Sequence, residues 1–113
     1  MEIDFHNEDG IGVGAVEGDL TAATAAAFRE QFQNWRKAQQ EVKEYVLDLK
    51  GVSFMDSAGL GALMAMLKSV TERGGDLKIA GLQKKPRMVF EITRAYKVFE
   101  IFDDVQEAVR ACR

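Results

Sequence analysis

The chain has 113 residues, of which 47% are hydrophobic and 29% charged, with a net charge of −3. This is the composition of one compact globular domain over residues 1–113, and the length is too short for two. One cysteine (Cys112) and one histidine (His6) exclude an internal disulfide and a structural zinc site, and the acidic balance argues against nucleic acid as a partner.

The first six residues lack the basic and apolar regions of a secretory signal. The longest charge-free stretch, residues 57–67, is far short of the roughly 20 residues of a membrane span. The expectation is a cytoplasmic chain without membrane insertion. Ile3 and Phe5 alternate with polar residues, as do Ile11, Val13 and Ala15, and residues 7–10 have turn chemistry, so the chain opens with a β-hairpin. Thr21 stands as N-cap of a helix over 22–38 whose buried stripe is Phe28, Phe32 and Trp35. Residues 44–49 read as a buried strand. A second helix over 57–73 places Leu60, Leu63, Met64, Leu67 and Val70 on one face, and Gly74 and Gly75 end it. Leu77 and Ile79 mark another strand. Pro86 fits the first turn of a third helix carrying Met88, Val89 and Ile92. Residues 99–102 form a short edge strand or extended segment, and Asp103 caps a last helix with Val105, Ala108 and Val109 inward.

This order predicts an α/β fold: a small mixed sheet of four to five strands, parallel except at the hairpin, with about four helices. In such sheets ligands and partners gather at the carboxyl edge of the parallel strands. Three strand-to-helix junctions meet there, at residues 18–21, 55–59 and 81–84, and any site is expected at that edge.

Several motifs fail in context. Gly10, Gly12, Gly14 and Ala15 spell a dinucleotide fingerprint, but they lie in a strand, where a flexible or twisted strand is the expected reading. Ser57 and Gly59 resemble half of a nucleophile elbow, but no histidine follows to act as base, so a serine hydrolase is not expected. Lys84, Lys85 and Arg87 read as a solvated loop and helix turn, His6 as a surface strand residue, and Cys112 as an incidental thiol. No residues suggest a cofactor or a metal.

The segment from Val46 to Gly61, centred on Asp56-Ser57-Ala58-Gly59-Leu60 between a buried strand and a helix, resembles the signature of STAS domains, and most closely that of bacterial anti-sigma factor antagonists. Gly18-Asp19-Leu20 before the first helix, Gly74 to Ile79 after the second, and Tyr96 to Asp104 near the end agree in order and spacing, so the resemblance spans essentially the whole chain. It implies that Ser57 is the acceptor for a partner that is both an anti-sigma factor and a serine kinase. The unphosphorylated form would bind that partner and free the sigma factor. Phosphorylation would abolish binding, and a serine phosphatase would restore it. The chain would itself be no enzyme, a monomer or weak homodimer. An alternative use of the same fold is a scaffold or accessory subunit, in a stress-signalling assembly or a lipid transporter.

The partner surface expected from these residues comprises Asp19 and Thr21 in the first junction, Met55 to Gly59 in the second, and Gly61 and Ala62 on the helix. Ala58, Gly61, Ala62 and Ala65 form a small-residue face, with Met66 as an adaptable contact. Such a face suits either a docking partner or a tightly packed neighbour inside the protein. Asp56 and Ser57 both have N-cap chemistry. Thr21 departs from the aspartate that many antagonists carry at this position and brings no charge.

Overall fold

The structure, a computed structural model, describes residues 1–113. Two antiparallel strands, β1 (Glu2–Glu8) and β2 (Ile11–Glu17), form the opening hairpin around Asp9 and Gly10, both at positive φ. Then follow α1 (Ala25–Ala38), β3 (Glu44–Gly51), α2 (Ser57–Thr71), β4 (Asp76–Ala80), α3 (Lys84–Ile92), a 3-10 turn (Ala95–Lys97), β5 (Ile101–Phe102) and α4 (Val105–Ala111). The sheet order is β1-β2-β3-β4-β5, parallel from β2 onward, so each strand pairs with its neighbour in sequence. The α/β class, the mixed sheet and the four helices agree with the sequence reading, and residues 99–102 include a true edge strand.

The sheet is covered on both faces. On one face, Phe28 and Phe32 of α1, Leu60, Leu63, Met66 and Val70 of α2, and Phe90 of α3 pack on Leu47, Leu49, Leu77 and Ile79. On the other, Ala108 and Val109 of α4 pack on Ile11, Val13, Val46 and Ala80. β2 is therefore buried on both sides, and its alternation is not the half-exposed one expected from Ile11, Val13 and Ala15. Its residues toward the main core are Gly12, Gly14 and Val16. The glycines serve rings: a Cβ at Gly12 would overlap the Trp35 and Tyr45 rings, and one at Gly14 would press on Phe5 and Leu47. Phe5 stacks on Trp35 with centroids 4.6 Å apart. Close aromatic packing, not strand flexibility or twist, explains the glycine pattern.

Other boundaries move for local reasons. α1 starts at Ala25, not at residue 22. The N–H of Thr21 donates to Thr24 Oγ1 (3.0 Å) and that of Ala22 to Asp56 Oδ2 (3.1 Å), which holds residues 21–24 as a turn. α4 is capped by Asp104, whose Oδ1 accepts the Glu107 N–H at 2.9 Å, and not by Asp103. On α3 the inward residues are Pro86, Val89 and Phe90, while Met88 and Ile92 are exposed. Burial pushes the Cys112 thiol up, which disfavours the reactive thiolate.

Candidate functional site

The carboxyl edge of the sheet is built from backbone. Beyond the ends of β2 and β3 the parallel ladder continues as a bridge between Leu20 and Met55. The Leu20 N–H donates to the Phe54 carbonyl (3.0 Å), and the Asp56 N–H to that of Leu20 (3.2 Å). Both bridging side chains are buried, so the two loops share one apolar plug. Farther along, Gln83 Nε2 donates to the Lys50 carbonyl at 2.6 Å and ties the β4–α3 junction to the same edge. Ser53 Oγ donates to Asp19 Oδ1 at 3.3 Å, between the first two junctions. The three junctions that the sequence brings to one edge do meet there.

Asp56 fastens this corner. Its Oδ1 accepts the Gly59 N–H (2.9 Å), the N-cap bond of α2, and its Oδ2 accepts the Ala22 N–H from the first loop. These two backbone donors, Gly59 first, hold its carboxyl below the usual carboxylate range. Gly59 makes the geometry possible: a Cβ there would overlap the Leu20 carbonyl.

Ser57 is free of that task. The cap is Asp56, and Ser57 is the exposed first residue of α2. Along the helix the positions on its side are Gly61, Met64 and Lys68, spaced by four and three residues, and all are exposed. Phe54 projects from the preceding loop with 45% of its surface open, and Met64 with 44%. Ala22 and Ala23 are exposed in the loop bound to Asp56. A hydroxyl therefore stands among exposed apolar and small residues, next to a carboxylate held ionised. The one histidine, His6, lies on β1 and pairs with Glu8 at 3.3 Å. Ser57 has an accessible hydroxyl with no imidazole to activate it.

The STAS domain family model matches residues 2–108. The chain is 34% identical to the anti-sigma-B factor antagonist of Listeria monocytogenes over 104 residues, 89% of this chain and 86% of the relative. This chain belongs to the STAS domain family of anti-sigma factor antagonists. The fold agrees: an anti-sigma factor antagonist from Mycobacterium paratuberculosis superposes with a TM-score of 0.88 at 23% identity, covering 99% of this chain and 93% of that one. The Bacillus cell fate determinant SpoIIAA in its phosphorylated form superposes with a TM-score of 0.73 at 18% identity, over 99% of this chain and all of the other. SpoIIAA in its unphosphorylated form gives 0.69 at 15% identity, over 97% and 96%.

Within this STAS domain the residues singled out from sequence separate into two groups. Asp19, Ser57 and Gly61 are exposed, and Thr21, Asp56 and Ala58 are half-buried. Met55, Gly59 and Ala62 lie in the interior, where they hold the corner in shape. Met66 is buried as well, so the outer face of α2 is not the small-residue face inferred from sequence. That face splits: Ala62 and Met66 turn into the core, while Gly61 stays outside. Met64, assigned to the buried stripe, is outside too. The row 57, 61, 64, 68 lies opposite the buried row 59, 63, 66, 70, and Met64 is hard to place because hydrophobicity alone argues for burial. Phe54 was missed. No alternation signals it: Val52, two residues earlier, is inward, yet Phe54 is exposed and Met55 is buried. Thr21 does not cap α1; its Oγ1 accepts the Ala23 N–H at 3.2 Å inside the turn.

Proposed function

We propose that this STAS domain is an anti-sigma factor antagonist switched at Ser57. The unphosphorylated form binds an anti-sigma factor that is also a serine kinase, and the sigma factor is released. Phosphorylation of Ser57 ends binding, and a serine phosphatase reverses it. The chain acts in the cytoplasm as a binding module, not as an enzyme, and needs no cofactor. The observation that carries this reading is the division of labour at the α2 start. Asp56 performs all of the capping, and Ser57 stands exposed beside Phe54, Gly61 and Met64. The name of the Listeria relative and the two recorded states of SpoIIAA support it.

The switch follows from charge. A phosphate on Ser57 adds about −1.5 to −2 charges directly beside the Asp56 carboxylate. The helix N-terminus tolerates an anion, so the fold is kept. A partner packed on Phe54 and Met64 would instead have to desolvate two adjacent anions, and each 1.4 kcal/mol of that penalty weakens binding about tenfold. Gly61 fits the same reading. A Cβ there meets open space, so no internal neighbour requires this glycine, whereas a partner backbone approaching α2 would.

The test is intact-mass analysis and phosphosite mapping on protein from its native cell, combined with capture of partners by Ser57→Ala and Ser57→Asp variants. A phosphoryl group located on Ser57, and a serine kinase retained by the alanine variant but not by the aspartate variant, are the expected results. Equal retention by both variants would sink the switch.

A further inference from the structure

The end of the molecule opposite Ser57 carries a second feature that the antagonist reading leaves unused. A cleft of about 390 Å³ lies between the C-terminal ends of α1 and α2 and the start of β3. Four of its lining residues are cations, Arg36, Lys37, Lys43 and Arg73, and none is acidic. This is a dense positive cluster in a chain whose net charge is −3. The acidic residues nearest in sequence, Glu41, Glu44 and Glu72, do not line the cleft, Glu44 lies 4.0 Å from Lys78, and the ion pairs of the protein involve other cations: His6, Lys50, Lys78 and Arg113.

The cluster is partly prearranged. The Arg36 guanidinium donates from Nη1 to Ser69 Oγ (2.6 Å) and to Gln33 Oε1 (3.4 Å), and lies 5.7 Å from the centroid of the Tyr45 ring. These contacts join α1 to α2 and fix the head group while using one of its nitrogens, so further N–H donors stay available. The backbone at Lys43 is also fixed, since its carbonyl accepts the Asp76 N–H at 3.2 Å. Helix dipoles account for part of the set only. Arg36 and Lys37 sit in the last turn of α1, where cations stabilise the negative pole. Arg73 directly follows the C-cap of α2, Glu72, and stands at the negative pole of that helix, whereas Lys43, before β3, is at no helix end. Lys37, Lys43 and Arg73 are exposed and none of the four cations takes part in an ion pair, so their charge is open to a multivalent anion.

We infer that this cleft is a binding site for a polyphosphate chain. Its volume is that of a small-ligand pocket, and its lining is polar apart from Val42 and Tyr45. Arg36 covers the Tyr45 ring, so charge is recognised here rather than a nucleobase. Ser69 lies twelve residues along α2 from Ser57, about 18 Å at 1.5 Å per residue, which separates this site from the switch surface. The inference therefore stands independently of the antagonist function.

The test is amide NMR titration of the full chain with inorganic tripolyphosphate at low ionic strength, with ATP as a parallel ligand. Saturable shifts centred on Lys43, Ser69 and Arg73 are expected, weakening steeply with salt. Lys43→Gln combined with Arg73→Gln should lower affinity at least tenfold. Lys84→Gln combined with Lys85→Gln removes the same charge from the opposite edge and should change affinity less than twofold. Equal losses from both pairs, shifts centred on Lys84 to Arg87, no saturation, or binding of ATP without binding of tripolyphosphate would each overturn the proposal.

Discussion

Asp56 and Ala22 are 34 residues apart in sequence, yet the Ala22 N–H donates to Asp56 Oδ2 at 3.1 Å while the other carboxylate oxygen caps α2. One side chain thus fixes the first helix entry against the second. Asn at position 56 has one acceptor oxygen and can keep only one of these bonds. Asp56→Asn should therefore lower the melting temperature at pH 7. The lowered Asp56 pKa gives the sign of the pH dependence. The stability contributed by the carboxylate is fully present above its ordinary value of 3.8 and is lost as pH falls below that, through the depressed folded value. The melting-temperature gap between parent and variant should be constant at neutral pH and shrink in acid. A constant gap down to the acid limit would show that the charge of Asp56 does not matter.

Gly59 and Gly61, two residues apart in the same helix, should respond oppositely to alanine. At Gly59 the added methyl would overlap the Leu20 carbonyl, and overpacking of this kind costs about 1–3 kcal/mol. At Gly61 it meets open space, and replacing a helical glycine with alanine stabilises by about 1 kcal/mol. Thermal unfolding should show Gly59→Ala below the parent and Gly61→Ala above it. If Gly61 serves a partner's close approach, the more stable variant is also the weaker binder. A Gly61→Ala protein that is stabilised and binds the proposed partner as tightly as the parent removes that role.

The aromatic cluster makes a sharper test of β2. A methyl on Gly12 would enter the space of the Trp35 and Tyr45 rings. Gly12→Ala should displace Trp35 from its stack on Phe5 and destabilise by about 1–3 kcal/mol. Trp35 is the single tryptophan, so its emission reports the change directly: a shift to longer wavelength in the folded state is expected. Unchanged emission and stability would mean that the ring accommodates the methyl by a small rotation.

Much of this architecture is legible in the sequence because the relevant signals are local. Turn residues at 7–10, the Phe28–Phe32 spacing and Gly74 after α2 each follow from chemistry within a few residues. What was not legible depends on contacts distant in sequence. Gly12 and Gly14 look like weak strand residues until Trp35 and Phe5 are brought over them. Thr21 has N-cap chemistry, but Asp56 draws the neighbouring Ala22 N–H into a turn instead. At the candidate site, Asp56 and Ser57 are indistinguishable as caps by residue type, and only the hydrogen bond from Gly59 assigns the cap to Asp56. Met64 falls on the apolar stripe by spacing and Phe54 is a large apolar residue with no local signal for the surface, yet both are exposed.

Those two exposed side chains carry the last prediction. Phe54 and Met64 are each more than half covered by the protein, so Phe54→Ala and Met64→Ala, singly or together, should lower the melting temperature modestly and leave the chain folded. Truncating large apolar residues at the centre of an interface costs about 2 kcal/mol or more, at least a tenfold loss of affinity. The double variant should therefore remain folded and fail to retain the serine kinase proposed as partner. Phosphorylation and truncation would then abolish binding by different routes, one adding an anion and the other removing apolar contact. Raised salt separates them. It screens charge and should partly restore binding of Ser57→Asp, but it should not rescue the Phe54 and Met64 variants.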